Sequence, residues 1–377
     1  MGDIFLFLMV LMGSLAVLDL IVGVSNDAVN FLGSAIGSKV ASFKVIVAVA
    51  SLGIIIGAVF SNSMMEIARR GIFHPEMFMF QEVMMIYLAV IVTDIILLDV
   101  FNTLGLPTST TVSMVFELLG ASVAMSIFKI IGGEDVPSFL TFMGDLPTLG
   151  DYINYDKAMR MITGIFAVVL VAFIAGVIIQ WLVRFLLTFN YAHRLKYLGG
   201  LIGGIALTGI VFFLLLKGVK GTTIISAESK EWINTHSMLL IVICFVGFFI
   251  ISQILVSVFK INILKVIVLS GTFALAMAFA GNDLVNFIGV PLAALGAFGF
   301  YRQTGDIDMY MGGLNTDVKT PVFILAAAGI IMMLALIFSK KAHNVLKTTV
   351  DLSRSEGADE RFRPNTISKL MVRASVY

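Results

Sequence analysis

The sequence has 377 residues, of which 59% are hydrophobic and only 13% are charged. A soluble domain carries roughly 25% charged residues, so this composition excludes an ordinary soluble protein and indicates an integral membrane protein. The net charge of +1 favours no highly charged partner such as nucleic acid, and the single cysteine, Cys244, excludes an intrachain disulfide and a thiolate metal cluster.

We predict that residues 1–131 form one transmembrane repeat. Its apolar stretches have the length that a helix needs to cross about 30 Å of hydrocarbon. They cover residues 4–24 with a continuation to 36, then 45–60 and 83–101, and a helix that follows Pro107 and extends to residue 128. Residues 132–160 contain acids, Pro and Gly, so we expect an exposed loop there.

The remaining apolar stretches predict linking transmembrane helices over 161–260 and the start of a second repeat over 261–338. The apolar stretches predict eight to ten membrane spans in the whole chain. Residues 339–377 form a basic tail with eight Lys or Arg against four Asp or Glu. An excess of Lys and Arg beside a span marks the cytoplasmic side, so we predict a cytoplasmic tail that is an amphipathic helix or partly disordered.

A polar nonapeptide occurs twice within these apolar surroundings. Residues 25–33 read Ser-Asn-Asp-Ala-Val-Asn-Phe-Leu-Gly, and residues 281–289 read Gly-Asn-Asp-Leu-Val-Asn-Phe-Ile-Gly, with six of the nine positions identical. A carboxylate with two amides is expensive to place in hydrocarbon and therefore suggests a functional site. Its duplication suggests an internally repeated transporter with the site at the repeat interface.

Both copies predict a helix break that suits an anion. Asn and Asp compete with the helix for backbone hydrogen bonds, so we expect half-helices that begin near Asp27 and Asp283. Their amino ends would offer free N–H groups and positive dipole ends to phosphate or sulfate. Pro107 also suits a helix start, and the hydroxyls of the following residues would cap that helix and form a third anion cradle.

The charge balance of these motifs predicts a co-bound cation. No Lys or Arg lies within a few residues of them on the membrane side. Asp27 and Asp283, with amide and backbone oxygens, make a hard-oxygen site suited to Na⁺, although a proton on a carboxylate would serve as well. Phosphate retains a proton at neutral pH and can donate a hydrogen bond to a carboxylate. Sulfate has no proton and cannot donate one, so the aspartates favour phosphate over sulfate as the substrate.

Simpler interpretations exist for each of these residues. The Asn–Asp pairs could be hydrogen-bonding contacts between helices, and the hydroxyls after Pro107 could be a plain helix cap. Four further acids within the apolar stretches either line an ion path or are satisfied by packing partners; these are Asp19, Asp94, Asp99 and Glu117. The four histidines share no ligand spacing, which argues against a histidine metal site.

The paired Asn-Asp-x-x-Asn motifs, together with Leu-Pro-Thr-Ser-Thr-Thr at 106–111, resemble the inorganic phosphate transporter (PiT) family of Na⁺- or H⁺-coupled phosphate symporters. The resemblance covers about residues 1–340. It implies an all-α membrane fold with inverted repeats and broken helices, and a site near the bilayer midplane. The implied substrate-binding residues are Asn26, Asn30, Ser109, Thr110, Thr111, Asn282 and Asn286, and the implied Na⁺-binding residues are Asp27 and Asp283.

One feature departs from the family pattern. The family has a second Pro-x-Ser-Thr-Thr motif, which the first-half spacing projects to about residue 363. The sequence there is Arg363-Pro364-Asn365-Thr366, flanked by charges and followed by no apolar span, so we regard it as a coincidence. We therefore expect the second repeat to be truncated.

Together these features predict a secondary active transporter that symports inorganic phosphate with Na⁺. The lipid bilayer, phosphate and Na⁺ are its expected partners, in a bacterial-type inner membrane, and no other cofactor is expected. The alternatives are a sulfate permease on the same scaffold and an anion channel. A membrane-embedded enzyme lacks a nucleophile–base pair or metal-ligand set in the sequence. Small residues at 199–204 suit helix contacts within one chain or in a homo-oligomer.

Overall fold

The computed structural model describes residues 2–61, 71–132, 148–187, 191–221, 226–315 and 321–352. These residues form twelve α-helices, two 3₁₀ turns (Pro75–Met77 and Gly312–Asn315) and two isolated β-bridges. The all-α class is therefore confirmed. In chain order the helices are α1 (Gly2–Gly37), α2 (Phe43–Val59), α3 (Phe80–Leu104), α4 (Thr110–Gly132), α5 (Leu149–Tyr152), α6 (Tyr155–Leu187), α7 (Tyr191–Gly221), α8 (Ala227–Thr235), α9 (Ser237–Ser257), α10 (Ile263–Thr304), α11 (Val322–Phe338) and α12 (Lys340–Leu352).

Seven of the described helices are long and apolar enough to cross a membrane, namely α1, α3, α4, α6, α7, α9 and α10. The pair α11 and α12 adds an eighth if it counts as one broken span, since the two helices meet at an angle of 65°. Helix α2 has 17 residues, fewer than the roughly 20 that a span usually needs. The expected eight to ten spans therefore agree with the structure only at their lower end.

The two Asn–Asp motifs lie inside continuous helices. Helix α1 passes through Asn26 and Asp27, and α10 passes through Asn282 and Asp283. The prediction of a helix break at each motif is wrong. Asn and Asp disrupt a helix when their side chains bond to nearby backbone, but the Asn26 amide instead bonds to residues of α3 and the segment after it. The helices therefore keep their backbone bonds and offer no free amino end at the motifs.

Helix α1 lies inside the main bundle, where it contacts α3, α10, α11 and α12. This packing buries the first motif, so that Asn26 is 0% exposed and Asp27 is 3% exposed. Helix α10, which carries the second motif, packs against both α1 and α2. The two copies of the motif are thereby placed on neighbouring helices.

Small residues allow the closest helix contacts in this bundle. A Cβ atom added to Gly57 of α2 would lie 2.1 Å from the backbone oxygen of Met277 in α10. A Cβ on Gly329 of α11 would lie 2.6 Å from the Cβ of Ala58 in α2. Such small-residue interfaces are typical of membrane helices, which associate through close packing.

Helices α6, α7 and α9 form a more peripheral group. Among the residues of α6, only Ala158 is buried, as expected for a helix that faces lipid. Helices α7 and α9 pack closely, and the Gly200 N–H donates to Gln253 Oε1 at 3.0 Å. The small residues at 199–204 therefore make contacts within this chain.

The expected exposed loop over 132–160 differs from the structure in its last part, and residues 133–147 lie outside the described residues. Tyr152 and Ile153 are buried. The Tyr152 ring packs against Phe78 at a centroid distance of 5.4 Å, and Ile153 forms a β-bridge with Phe73. Aromatic burial thus holds this end of the loop against the segment before α3.

Helix α12 is the amphipathic helix expected at the start of the tail. It buries Ala342, Val345 and Leu346 against the bundle and contacts α1 and α3. Lys341 forms a salt bridge with Asp99 of α3. The rest of the tail, 353–377, lies outside the described residues, and its cytoplasmic placement stays a prediction.

Candidate functional site

A new helix begins after Pro107, as the sequence predicts. Gly105 ends α3 with a left-handed conformation at φ 71°, and the chain then runs without regular structure until α4 begins at Thr110. Proline has no N–H group and a fixed φ, so it interrupts the helix here. The Ser109 hydroxyl caps α4 by accepting the Val112 N–H at 3.3 Å.

The Asn26 side chain anchors this segment to α1. Its amide nitrogen donates to Asn102 Oδ1 at 2.9 Å and to the Leu106 carbonyl at 3.0 Å. Its oxygen accepts the backbone N–H of Thr108 at 2.7 Å. Asn102 in turn donates to the Val22 carbonyl at 2.8 Å. Both amide hydrogens of Asn26 are thus taken by the protein in this conformation.

The next residue, Asp27, is linked to the second motif through the start of α4. It accepts hydrogen bonds from Thr110 Oγ1 at 3.1 Å and from the Asn30 amide at 3.3 Å. The Asn286 amide donates to Thr110 Oγ1 at 3.1 Å and to Thr111 Oγ1 at 3.0 Å. Threonine side chains of α4 therefore join the two Asn–Asp motifs.

Asp27 and Asp283 interact electrostatically with each other, and the Asn282 side chain also interacts with Asp283. Both carboxyl groups are buried. Within the described chain, no Lys, Arg or His forms an ion pair with either of them. Because two adjacent carboxylates repel, this pair is stable only with a shared proton or with a cation between its oxygens.

The nine predicted site residues thus fall into three groups. Six form the buried contacts just described, with Asn30 and Asn282 at their edge; the six are Asn26, Asp27, Thr110, Thr111, Asp283 and Asn286. Ser109 is exposed and lies outside this network, and Asn30 is also exposed. The edge residues therefore present polar groups where a ligand could approach the carboxyl pair.

Sequence analysis missed Asn102, which is 0% exposed and bonds to Asn26. The sequence did contain a signal for Asn102, because this amide lies at the end of an apolar stretch and five residues before Pro107. It also missed Ser339, whose hydroxyl lies 2.6 Å from that of Ser25. Ser339 Oγ accepts the Ala342 N–H at 3.3 Å and so caps α12.

Two helix amino ends therefore lie beside the first motif. One belongs to α4, which contacts Asp27 through Thr110, and the other belongs to α12, which contacts Ser25 through Ser339. Amino ends of helices favour anions through their free N–H groups and positive dipole ends. The anion-favouring feature that was expected within α1 and α10 is thus supplied by neighbouring helices.

Comparison with known proteins identifies the family and the fold. The Phosphate transporter family matches residues 23–352. A solved structure described as "The sodium-dependent phosphate transporter" resembles the chain with a TM-score of 0.63 at 16% identity, covering 92% of this chain and 78% of that chain. No curated protein matches the sequence.

The similarity to the solved structure shows that the two proteins share a fold. The match to the family model shows that the chain is homologous to the members of that family. The match begins just before the first Asn–Asp motif and ends at the last residue of α12. It confirms that the chain is a multi-pass membrane transporter for phosphate and not an enzyme. The chain therefore belongs to the phosphate transporter family.

Proposed function

We propose that this protein is a secondary active transporter that moves inorganic phosphate inward together with Na⁺. The observation that carries this proposal is the Thr110 hydroxyl, which bonds to Asp27 of one motif and to Asn286 of the other. A ligand bound at this point contacts both halves of the duplicated chain. A site shared by two repeats is the arrangement that secondary transporters use for alternating access.

The facing carboxyl groups of Asp27 and Asp283 support the choice of a cation as the coupled ion. Carboxylate, amide and hydroxyl oxygens are hard ligands that suit Na⁺. The described structure provides no basic side chain to neutralise the pair. The relative described as sodium-dependent is consistent with Na⁺ rather than H⁺ in this role.

The edge of the site supports an anion as the second substrate. Asn30 and Asn282 supply amide groups, and the amino end of α4, which carries the exposed Ser109 hydroxyl, supplies a positive dipole end. Phosphate that retains a proton can also donate a hydrogen bond to a carboxylate, which sulfate cannot do. In this proposal Asn26 and Asn286 position α4, because their amide hydrogens already bond to the protein.

Charge explains why the two substrates would bind together. Without a cation, phosphate would approach two buried carboxylates and be repelled by them. Na⁺ bound between Asp27 and Asp283 offsets one of these two negative charges, which reduces the repulsion and favours entry of the anion. Phosphate in turn stabilises the bound cation, so each ligand raises the affinity for the other.

Uptake of radiolabelled phosphate into vesicles that contain the purified protein tests this proposal. An inward Na⁺ gradient should drive accumulation above the outside concentration, and replacement of Na⁺ by choline should abolish it. The variants D27N and D283N should lose this Na⁺ dependence. D156N, which changes an exposed acid at the start of α6, serves as the matched control.

Three outcomes would contradict parts of this proposal. Unchanged Na⁺ dependence in D27N would remove Asp27 from the cation site. Inhibition by sulfate at the same concentration as unlabelled phosphate would favour a sulfate permease. Equilibration without uphill accumulation would indicate an anion channel.

We also propose a bacterial-type inner membrane as the location, with the tail on the cytoplasmic side. The supporting observation is the concentration of Lys and Arg in residues 339–377. Labelling of a cysteine introduced at the exposed residue His343, in a variant in which Cys244 is replaced by serine, tests the orientation in intact cells and in inverted vesicles. Labelling by an impermeant reagent in inverted vesicles alone is the expected result.

A further inference from the structure

Three acidic side chains on three helices of the bundle interact electrostatically with one another, outside the Asn–Asp motifs. They are Asp19 of α1, Asp94 of α3 and Glu117 of α4. Ser113 Oγ lies 2.7 Å from Asp94 Oδ1 and 2.7 Å from Glu117 Oε1. Asp19 has Asp94 and Glu117 as its electrostatic neighbours. We call these three acids and Ser113 the acid cluster.

The hydrogen bonds of Ser113 require a proton on one of the acids. A hydroxyl group has one hydrogen and can donate to one acceptor, whereas ionised carboxylates only accept. Both contacts of Ser113 have the length of a good O–H···O bond. If Ser113 donates to one carboxyl group, the other must donate its own O–H to Ser113. The geometry therefore fits a cluster that holds at least one proton.

Carboxyl oxygen atoms that lack a hydrogen-bond partner indicate that the cluster holds further protons. Asp19 is 1% exposed and Asp94 is 2% exposed. Asp19 Oδ1, Asp94 Oδ2 and Glu117 Oε2 are buried and have no hydrogen-bond partner among the described residues. A carboxylate that is buried without a partner is far more costly than the neutral acid, because ionised groups lose most of their solvation in hydrocarbon.

The ion pairs identified among the described residues do not include an acid of the cluster. On α4, Lys129 pairs with Glu82 of α3, and on α12, Lys341 pairs with Asp99 of α3. On α10, Asp283 interacts with Asp27 of α1. The other titratable groups described on the helices that contact α1, α3 and α4 are Lys44, Tyr87, Asp151, Tyr152, Tyr155, Asp156, Lys157, Arg160, Arg184, Lys265, Tyr301, Arg302, Lys340, His343, Lys347 and Asp351.

We propose that the acid cluster is a second ion-binding site of this transporter, which binds protons and is distinct from the Asp27–Asp283 pair. Within the described chain, no group of three or more His, Cys, Asp or Glu residues has the geometry to hold a metal ion, which favours protons over a metal cation. Each binding event forms one O–H bond on a carboxylate oxygen and removes one proton from a hydronium ion. Ser113 passes a proton between Asp94 and Glu117 by reversing its two hydrogen bonds.

The cluster borders a cleft between α3 and α4. The cleft has a volume of about 470 Å³, and both Ser113 and Glu117 line it together with the exposed Thr93. Asp94 also interacts electrostatically with Asp27. A proton gained by the cluster therefore weakens the negative potential at the Asp27–Asp283 pair and lowers its affinity for a cation.

Infrared spectroscopy of the purified protein in lipid vesicles tests the site without relying on transport. The protonated cluster should give a carbonyl-stretch band of a carboxylic acid at neutral pH, which moves on transfer to deuterated buffer. The band should be lost or reduced in D94N and E117Q, and shifted in S113A, which keeps all three acids but removes the hydrogen bonds. D99N is the matched control, because Asp99 lies on the same helix but pairs with Lys341.

The proposal is overturned if the wild-type protein shows no carboxylic-acid band at neutral pH, or if the band is unchanged in D94N, E117Q and S113A. A loss of the band in D99N but not in those variants would also overturn it. A second measurement follows Na⁺-dependent phosphate uptake against pH, and this arm rests on the proposed function. E117Q should make phosphate uptake less dependent on pH. If the infrared bands behave as expected but the protein takes up no phosphate, the proposed function is refuted and the proton site is retained.

Discussion

The Thr110 hydroxyl donates a hydrogen bond to Asp27 Oδ2 at 3.1 Å and accepts one from the Asn286 amide at 3.1 Å. Asn286 lies 176 residues further along the chain than Thr110. The first turn of α4 is therefore bonded to α1 and α10 at once, at the positions where each helix carries its Asn–Asp motif. A displacement of α4 must alter the hydrogen bonds of both motifs, which makes this turn a point of coupling between the two halves.

The substitution T110V should weaken cation binding, because valine has nearly the same shape but has no hydroxyl. A hydrogen bond to a charged group contributes about 1.5–3 kcal/mol. This corresponds to an increase of about 10- to 100-fold in the Na⁺ concentration for half-maximal uptake, since about 1.4 kcal/mol is a factor of ten. Phosphate uptake measured over a series of Na⁺ concentrations gives this value directly.

Thr208 offers a matched control for that substitution. It is buried in α7, and its hydroxyl has no hydrogen-bond partner among the described residues. T208V should leave the Na⁺ dependence unchanged and maintain or raise thermal stability, since a buried unpaired hydroxyl is unfavourable. Equal effects of T110V and T208V on the Na⁺ dependence would argue that the Thr110–Asp27 bond has no role in cation binding.

The substitution N26D should destabilise the fold. Asp is nearly the same size as Asn, but it cannot donate the two hydrogen bonds that Asn26 makes to Asn102 and Leu106. Each acceptor left unsatisfied in a buried position costs about 1–3 kcal/mol. Thermal unfolding of the detergent-solubilised protein should therefore show a large fall in the unfolding temperature.

The control for N26D is N262D at the start of α10. Asn262 uses its side-chain oxygen to accept the Leu264 N–H at 3.0 Å, which Asp can do equally well at a helix N-cap. N262D should unfold at the wild-type temperature or above it. A wild-type unfolding temperature in N26D would mean that the observed hydrogen bonds contribute little to stability.

The contrast between Pro107 and Asn26 shows which parts of this site could be predicted from sequence. The helix start after Pro107 was predictable, because a missing N–H group and a fixed φ act locally whatever the surroundings. The breaks at Asn26 and Asn282 were predicted wrongly, because Asn disrupts a helix only if no partner from elsewhere takes its amide. For Asn26 the partners are Asn102, Leu106 and Thr108, which are 76 to 82 residues away in sequence.

The meeting of the two motifs was predictable from their duplication, whereas the acid cluster was not. Six identities in nine residues, placed within apolar stretches, indicate a shared site without any knowledge of packing. Asp19, Asp94 and Glu117 share no motif and lie on three helices. Their convergence depends on how α1, α3 and α4 are rotated about their axes, which the weak polarity pattern of a membrane helix does not specify.

The substitution G57A should disrupt the contact between α2 and α10. The added methyl group would lie 2.1 Å from the Met277 carbonyl oxygen, so the two backbones must separate. Overpacking of this kind costs typically about 1–3 kcal/mol and displaces the helices. The expected result is a lower unfolding temperature together with reduced phosphate uptake, because α10 carries the second motif.

Gly271 of α10 provides the comparison for G57A, since an added Cβ there would meet no atom within 4 Å. Replacement of glycine by alanine inside a helix stabilises it by roughly 0.5–1 kcal/mol when space allows. G271A should therefore raise the unfolding temperature. Similar losses in G57A and G271A would contradict close packing of α2 and α10 as the cause.

The last prediction concerns the ion pair between Lys129 of α4 and Glu82 of α3, which have an Nζ–Oε2 distance of 2.8 Å. The Lys129 side chain is 2% exposed, and Glu82 also accepts the Met79 N–H at 2.7 Å. K129M should lower the free energy of unfolding by about 3–5 kcal/mol, because it leaves a mostly buried carboxylate without its cation.

The double variant K129M/E82Q should recover a large part of that loss, because it removes the uncompensated charge while glutamine can still cap α3. Unfolding in denaturant of the wild type, both single variants and the double variant gives the coupling free energy of the pair. Additive losses in the double variant would show that the two side chains act independently. Recovery would show that the pair is kept together by the cost of leaving either charge alone, and that it fixes the end of α4 against α3 on the far side from Thr110.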